Sequence, residues 1–341
     1  LDRHRAVKEG IVRAVDAAHA AAAEQIKQPV FFDEGQRREL LTRELPKEEL
    51  RELRRWEHGG IVSGSRGSGR KSACGPGGQA DILAAAMTLS NDRYLRRLSQ
   101  SPKARLRMFC LPYAGSGTAQ YRPWGRLLPN DVELYAVCLP GREERINETP
   151  GERLEPLVAA VAQALQPLLD RPFVIYGHSL GGLLGFELAH TLRRTVGVEP
   201  ARLIISGRGA PERPPAPAIG HLPDDQFVAT LTKRYGGIPQ AVLNEPELMA
   251  LFLPVLRADF RVLENYKYQE RDPLSCPITA IGGTQDSMVP PEAIHGWRAH
   301  TRGAMAAHFV EGAHFFIQSQ QPRFIELLSA ELRRTPESAG P

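Results

Sequence analysis

From Arg105 onward, short apolar runs alternate with longer segments in which apolar residues return at helical spacing. Arg105 to Leu111, Val132 to Leu139, Phe173 to Tyr176, Arg202 to Ser206, Ile278 to Ile281 and Ala306 to Val310 predict six strands. Leu154 to Leu169 and Leu180 to Leu192 predict two of the helices between them. This alternation predicts an α/β fold, a mostly parallel central sheet with helices on both faces. One interval breaks the rhythm. Between Ser206 and Ile278 come a Pro-rich stretch at 211–217 and then apolar helical stretches at 226–235 and 247–263. An insertion of that length predicts a helical lid spanning about 207–272. Phe227, Leu231, Leu248, Leu251, Phe252 and Leu256 form its apolar stripe, expected to cover a site unless it is plain core.

Upstream the texture differs. Residues 1–57 mix charges with helical stretches (8–26 and 34–56) and few large apolar side chains, and residues 59–78 are dominated by glycine and serine. Residues 1–86 are therefore expected to be a poorly structured or partly helical extension with a flexible linker. The first methionine is Met87, and the folded domain is expected over 87–341.

Composition changes this picture little. A formal net charge of +4 over 341 residues is too mild to point to nucleic acid. Cys74, Cys110, Cys138 and Cys276 show neither paired nor metal-type spacing, and the last three fall in or beside predicted strands, as small buried residues would. No apolar run approaches a membrane span, and Ala17 to Ala23 is too weakly hydrophobic for a signal-peptide core. A reduced, cytoplasmic protein is expected, without metal, dinucleotide or P-loop signature.

The chemistry concentrates after the third predicted strand. Gly177-His178-Ser179-Leu180-Gly181 joins a strand to a helix, the context of a nucleophile elbow. Glycines two residues to either side of Ser179 let strand and helix approach without a Cβ clash. The N–H of Leu180, at the start of the helix, is placed to donate to an oxyanion. Partners for the serine are sought at the carboxyl ends of strands, where sites in open α/β sheets form. Asp286 follows the fifth predicted strand and His314 the sixth, giving the order Ser, Asp, His. Asp259 and Asp272 share the right interval for the acid, but neither follows a strand. The second oxyanion donor is assigned to the N–H of Ala114, in the loop after the first predicted strand.

Seven ordered motifs then carry a resemblance: 108–115, 139–145, 177–182, 235–239, 253–259, 283–286 and 312–316. Together they resemble the external, type II thioesterases of polyketide and nonribosomal peptide synthesis, members of the α/β-hydrolase superfamily. The resemblance runs from about Met87 to Glu331 and implies hydrolysis of acyl or aminoacyl thioesters on the phosphopantetheine arm of acyl or peptidyl carrier domains. It also implies a nucleophile at Ser179, an acid at Asp286, a base at His314, and oxyanion donors at Ala114 and Leu180, with no cofactor. A cytoplasmic monomer is expected. Two departures stand out, Ser116 for a glycine that could narrow its loop and Ser287 for a proline after the acid. The same residues would also serve a general esterase, an acyltransferase or a medium-chain acyl-carrier thioesterase. A binding module without catalysis would need a defective set, and all three groups are present.

Overall fold

A computed structural model of the chain describes residues 93–336, apart from 102, 214, 215, 237 and 239. The expected extension over 1–86, the start at Met87 and Cys74 lie outside the described residues. Seven strands form one sheet: β1 (Leu95–Arg97), β2 (Leu106–Leu111), β3 (Val132–Val137), β4 (Phe173–His178), β5 (Arg202–Ser206), β6 (Ile278–Gly283) and β7 (Met305–Val310). Their order is β1-β3-β2-β4-β5-β6-β7. All neighbours pair in parallel except β1, which runs antiparallel along the edge of β3. The six predicted strands correspond to β2 through β7. β1 was not predicted, because its Leu-Arg-Arg lacks the apolar run that marks a buried strand.

Nine α-helices complete the described chain: α1 (Trp124–Leu127), α2 (Leu154–Leu165), α3 (Leu180–Thr195), α4 (Asp224–Tyr235), α5 (Gln240–Leu243), α6 (Pro246–Asn265), α7 (Pro291–His295), α8 (Phe316–Ser319) and α9 (Gln321–Arg333). The predicted helix from Leu154 continues past α2 only as a 3-10 turn over Gln166–Leu168.

The central strands are buried on both faces, so their side chains divide between two cores. Phe109, Ile175, Leu203 and Ile205 join α2 and α3 in one. Met108, Cys110, Val174, Tyr176 and Ile204 join Trp124 and α9 in the other. Adjacent residues of one strand therefore enter opposite cores, and the strands read as continuous apolar runs. No described helix is long and apolar enough to cross a membrane.

The interval between β5 and β6 holds α4, α5 and α6. Gly236, at φ 66°, ends α4 in the left-handed conformation, with its N–H donating to Thr232 O. Phe227, Leu231, Leu256 and Phe260 pack into a third apolar cluster, separate from the two cores of the sheet. The apolar stripe thus divides. Leu231, Phe252 and Leu256 line a cavity at Ser179, whereas Phe227 is wholly buried between α4 and α6 and stacks edge-on against Phe260. Leu248 and Leu251 belong to neither the cavity nor the cluster. Their spacing carried no information about which side of α6 meets a neighbour.

Candidate active site

The β4–α3 turn fixes the serine. Ser179 has φ 53° and ψ −113°, a conformation that non-glycine residues adopt only under constraint. The constraint is visible in its glycine neighbours. A Cβ on Gly177 would stand 2.0 Å from Gly181 O, and one on Gly181 would stand 2.3 Å from Leu111 O. Larger residues would force strand and helix apart. The Ser179 N–H donates to Ser206 O at 2.8 Å, anchoring the turn to β5.

Asp286 and His314 arrive on two loops laced to each other. Thr284 N donates to Val310 O and Gln285 N to Gly312 O, each at 2.9 Å. Asp286 Oδ1 accepts the N–H groups of Met288 (3.0 Å) and Val289 (3.3 Å), leaving Oδ2 to meet His314 Nδ1 at 2.7 Å. A carboxylate only accepts, so Nδ1 carries the proton and Nε2 presents a lone pair. Nε2 lies 3.0 Å from Ser179 Oγ. The structure therefore brings Ser179, Asp286 and His314 into one continuous hydrogen-bonded chain. Asp286 and His314 are buried, and Ser179 is half-buried at the cavity wall.

Ala114, on the loop after β2, lines the same cavity as Ser179, and its N–H is taken by no described residue. Leu180 is the first residue of α3, where the N–H has no partner within its own helix. Ser116 is bonded within this loop. Its hydroxyl donates to Tyr113 O at 2.9 Å and accepts from Gln120 Nε2 at 2.6 Å.

Asp259, the competing acid, is committed elsewhere. On α6 and 1% exposed, it accepts two bonds from Arg142, Nη1 to Oδ2 at 3.0 Å and Nη2 to Oδ1 at 2.8 Å. Oδ2 also takes the Gly115 N–H at 2.7 Å, while Arg142 Nη1 reaches Ser116 O at 2.9 Å. A buried ion pair thus pins the loop that carries Ala114 to both α6 and the segment after β3. Arg142 and Asp259 lie in two of the resemblance motifs, but spacing alone could not pair residues so far apart in sequence. The third candidate, Asp272, is exposed and pairs with Arg302 at 3.3 Å.

Other buried titratable groups are held in their neutral forms. His178, fully buried, shares Ser206 Oγ with the Tyr176 hydroxyl. Burial first, and then His314, drive its pKa well below the ordinary imidazole value, so it stays neutral. Burial pushes the thiols of Cys138 and Cys276 up to about 12, and that of Cys110 upward too, far from the thiolate a nucleophile needs. Among the described residues, Cys138, Glu143 and Glu144 form the one group close enough to share a metal ion. Both carboxylates are already engaged, Glu143 by Thr118 and Ala119 and Glu144 by Arg96. No metal role is assigned to them.

Two cavities meet at Ser179 and His314. One, of about 50 Å³, is walled by Leu231, Ile238, Phe252, Leu256 and Phe260 and contains no charged side chain apart from His314 when protonated. The other, of about 90 Å³, is lined by Arg208, Arg213, Met288 and Val289. Tyr235 and Leu263 border both. The Tyr235 ring lies 5.0 Å from that of His314.

A parallel sheet with a strained serine at a strand-to-helix turn, and with Asp286 and His314 on loops after β6 and β7, defines the α/β-hydrolase class of enzymes. The thioesterase domain family matches residues 106–332, and the chain belongs to that family, among the type II thioesterases. Gramicidin S biosynthesis protein GrsT from Aneurinibacillus migulanus is 41% identical over 231 residues, covering 67% of this chain and 90% of that protein. The thioesterase RedJ of the prodiginine pathway in Streptomyces coelicolor is 36% identical, with a TM-score of 0.64 over 67% of this chain and 91% of its own. BorB, the type II thioesterase of the borrelidin cluster, is 31% identical, with a TM-score of 0.65 over 71% and 98%.

Proposed function

We propose that this thioesterase hydrolyses acyl or aminoacyl thioesters carried on the phosphopantetheine arms of carrier domains in a polyketide or nonribosomal peptide synthase, working as a cytoplasmic monomer. The observation that carries the reading is the chain from Asp286 through His314 to Ser179, at 2.7 and 3.0 Å, within a family whose members act on thioesters. The names of GrsT, RedJ and BorB, each tied to a biosynthetic pathway, support the carrier as donor.

In this reading Ser179 Oγ attacks the thioester carbonyl while His314 Nε2 takes its proton. The carbonyl oxygen becomes an oxyanion held by the N–H groups of Ala114 and Leu180. Asp286 fixes the imidazole tautomer and stabilises the cation. Collapse breaks the C–S bond, and His314 returns the proton to the departing thiolate, leaving an acyl ester on Ser179 and a free pantetheine thiol. Water, deprotonated by His314, repeats the attack and releases the acid and the serine. Every proton transfer is supplied by the chain's own side chains, so no cofactor is required. The insertion over 207–272 acts as a lid, and its cavity of Leu231, Phe252 and Leu256 holds the acyl chain.

The test is kcat/KM for one short acyl group on a carrier protein and on coenzyme A. A value well above that for coenzyme A is expected on the carrier, with modest discrimination among short chains, because an enzyme that clears stalled carriers must accept many acyl groups. Equal values on both donors would refute carrier recognition and favour a general esterase.

A further inference from the structure

A thioester presents two unlike substituents to an attacking serine. On one side of the carbonyl is the acyl chain, and on the other, beyond sulfur, an arm bearing two amides and ending in an anionic phosphate. The cleft has two unlike branches. Burying an amide among Leu231, Ile238, Phe252 and Phe260 would leave its polar atoms unpaired, a cost of about 1–3 kcal/mol for each group. The second branch has donors to offer. Its lining carries Arg208 and Arg213 and no carboxylate.

Arg208 stands apart from the other buried and half-buried arginines among the described residues. Arg107, Arg142, Arg145 and Arg202 are each engaged by a carboxylate, whereas the Arg208 guanidinium forms no hydrogen bond or ion pair with any described residue. It follows Gly207, the residue directly after β5, and its Cβ would stand 3.3 Å from a Cβ on Gly182. The residue is half-buried. Burial lowers its pKa, with Tyr235 and Tyr266 opposing, but a guanidinium remains protonated at neutral pH. Holding an unpaired cation in such a place is costly unless a ligand supplies acceptors. Arg213, further along the same branch, is exposed.

We propose that the branch lined by Arg208 is the subsite for the pantetheine arm, with the guanidinium donating to an amide carbonyl of the arm and Arg213 facing its outer, anionic end. This rests on the carrier-thioester reading above and adds the residue that tells an arm-bearing donor from any other ester. The acyl chain and the arm then diverge at Ser179, one to each branch, with Tyr235 and Leu263 between them.

The experiment compares one acyl group on a pantetheine thioester and on a p-nitrophenyl ester, which has no arm. The readout is the ratio of kcat/KM between the two donors. Arg208→Gln is expected to lower that ratio roughly tenfold, the effect of losing one charge-assisted hydrogen bond, and Arg208→Lys to recover part of it. Phe252→Ala is expected to change both donors together and leave the ratio alone. An unchanged ratio in both Arg208 variants would overturn the subsite. So would a fall confined to acyl groups bearing their own carboxylate, because the guanidinium would then meet the acyl half. A wild-type enzyme that does not prefer the pantetheine donor at all would instead overturn the carrier-thioester reading itself.

Discussion

Asp286 and Asp259 are both buried, and each holds a basic side chain, but they sit in different regions of the molecule. Asp286 stands on a loop at the carboxyl end of the sheet and faces His314, a group that can take up and release a proton. Asp259 stands on α6 in the insertion and faces Arg142, whose guanidinium donates hydrogen bonds and accepts none. The first pair can move charge during a reaction. The second can only hold structure, and the Gly115 N–H on Asp259 shows what it holds. In the proposed mechanism the sheet end supplies the chemistry, while the insertion supplies a wall and a fixed position for the loop carrying Ala114.

Substitutions that separate these two roles should differ in kind. Ser179→Ala is expected to show the largest loss of activity, ~10³-fold or more in kcat, with an unchanged melting temperature, since only binding and the oxyanion donors remain. Asp286→Asn should be severe but one to two orders of magnitude milder than Ser179→Ala, roughly as for a triad that loses only its orienting acid. Its thermal unfolding should stay close to wild type.

Asp259→Ala should do the reverse. Leaving Arg142 buried and unpaired is expected to cost about 3–5 kcal/mol of stability, read as a lower denaturant midpoint, with residual activity following the folded fraction. A stable Asp259→Ala protein that is less active than Asp286→Asn would break the comparison by making Asp259 the acid.

The insertion's wall predicts a smaller, graded effect. Each methylene buried against Leu231, Phe252 and Leu256 is worth about 0.8 kcal/mol, so Phe252→Ala should lengthen the preferred acyl chain, measured across a series of linear thioesters. No shift in chain preference would return these residues to plain core.

A third buried carboxylate, remote from both regions, sharpens the contrast by responding to pH alone. Glu331 on α9 accepts from Thr279 Oγ1 (2.8 Å) and Arg202 Nη1 (3.1 Å). His308, at 3.4 Å, leads the groups that depress its pKa from 4.5 to about 2, followed by Thr279 and Arg334. The folded state therefore favours the carboxylate, a contribution present above pH 4.5 and lost as pH falls toward 2. Glu331→Gln should be less stable than wild type at neutral pH, and the gap in melting temperature should narrow through that window.

What could be read from the chain follows the same division. Strands buried on both faces announce themselves as apolar runs, and residues directly after them fall at the carboxyl end of the sheet, so Ser179, Asp286 and His314 could be named from local pattern. The edge strand β1 escaped because half its pairing surface is open and two of its three residues are arginines. In the insertion, helical spacing marked α4 and α6 but could not tell Phe227, packed between helices, from Phe252, which faces the cavity. The tie between Arg142 and Asp259, and the unpaired state of Arg208, depend on contacts between distant segments. No local periodicity encodes them.

The most direct test of the division between the two regions is covalent labelling by a serine-reactive phosphonate, followed by peptide mapping, in the wild type, Asp286→Asn and Asp259→Asn. The label is expected on Ser179, at a rate that drops by orders of magnitude in Asp286→Asn and stays near wild type, per folded molecule, in Asp259→Asn. Labelling at another residue, or equal rates in wild type and Asp286→Asn, would contradict the account.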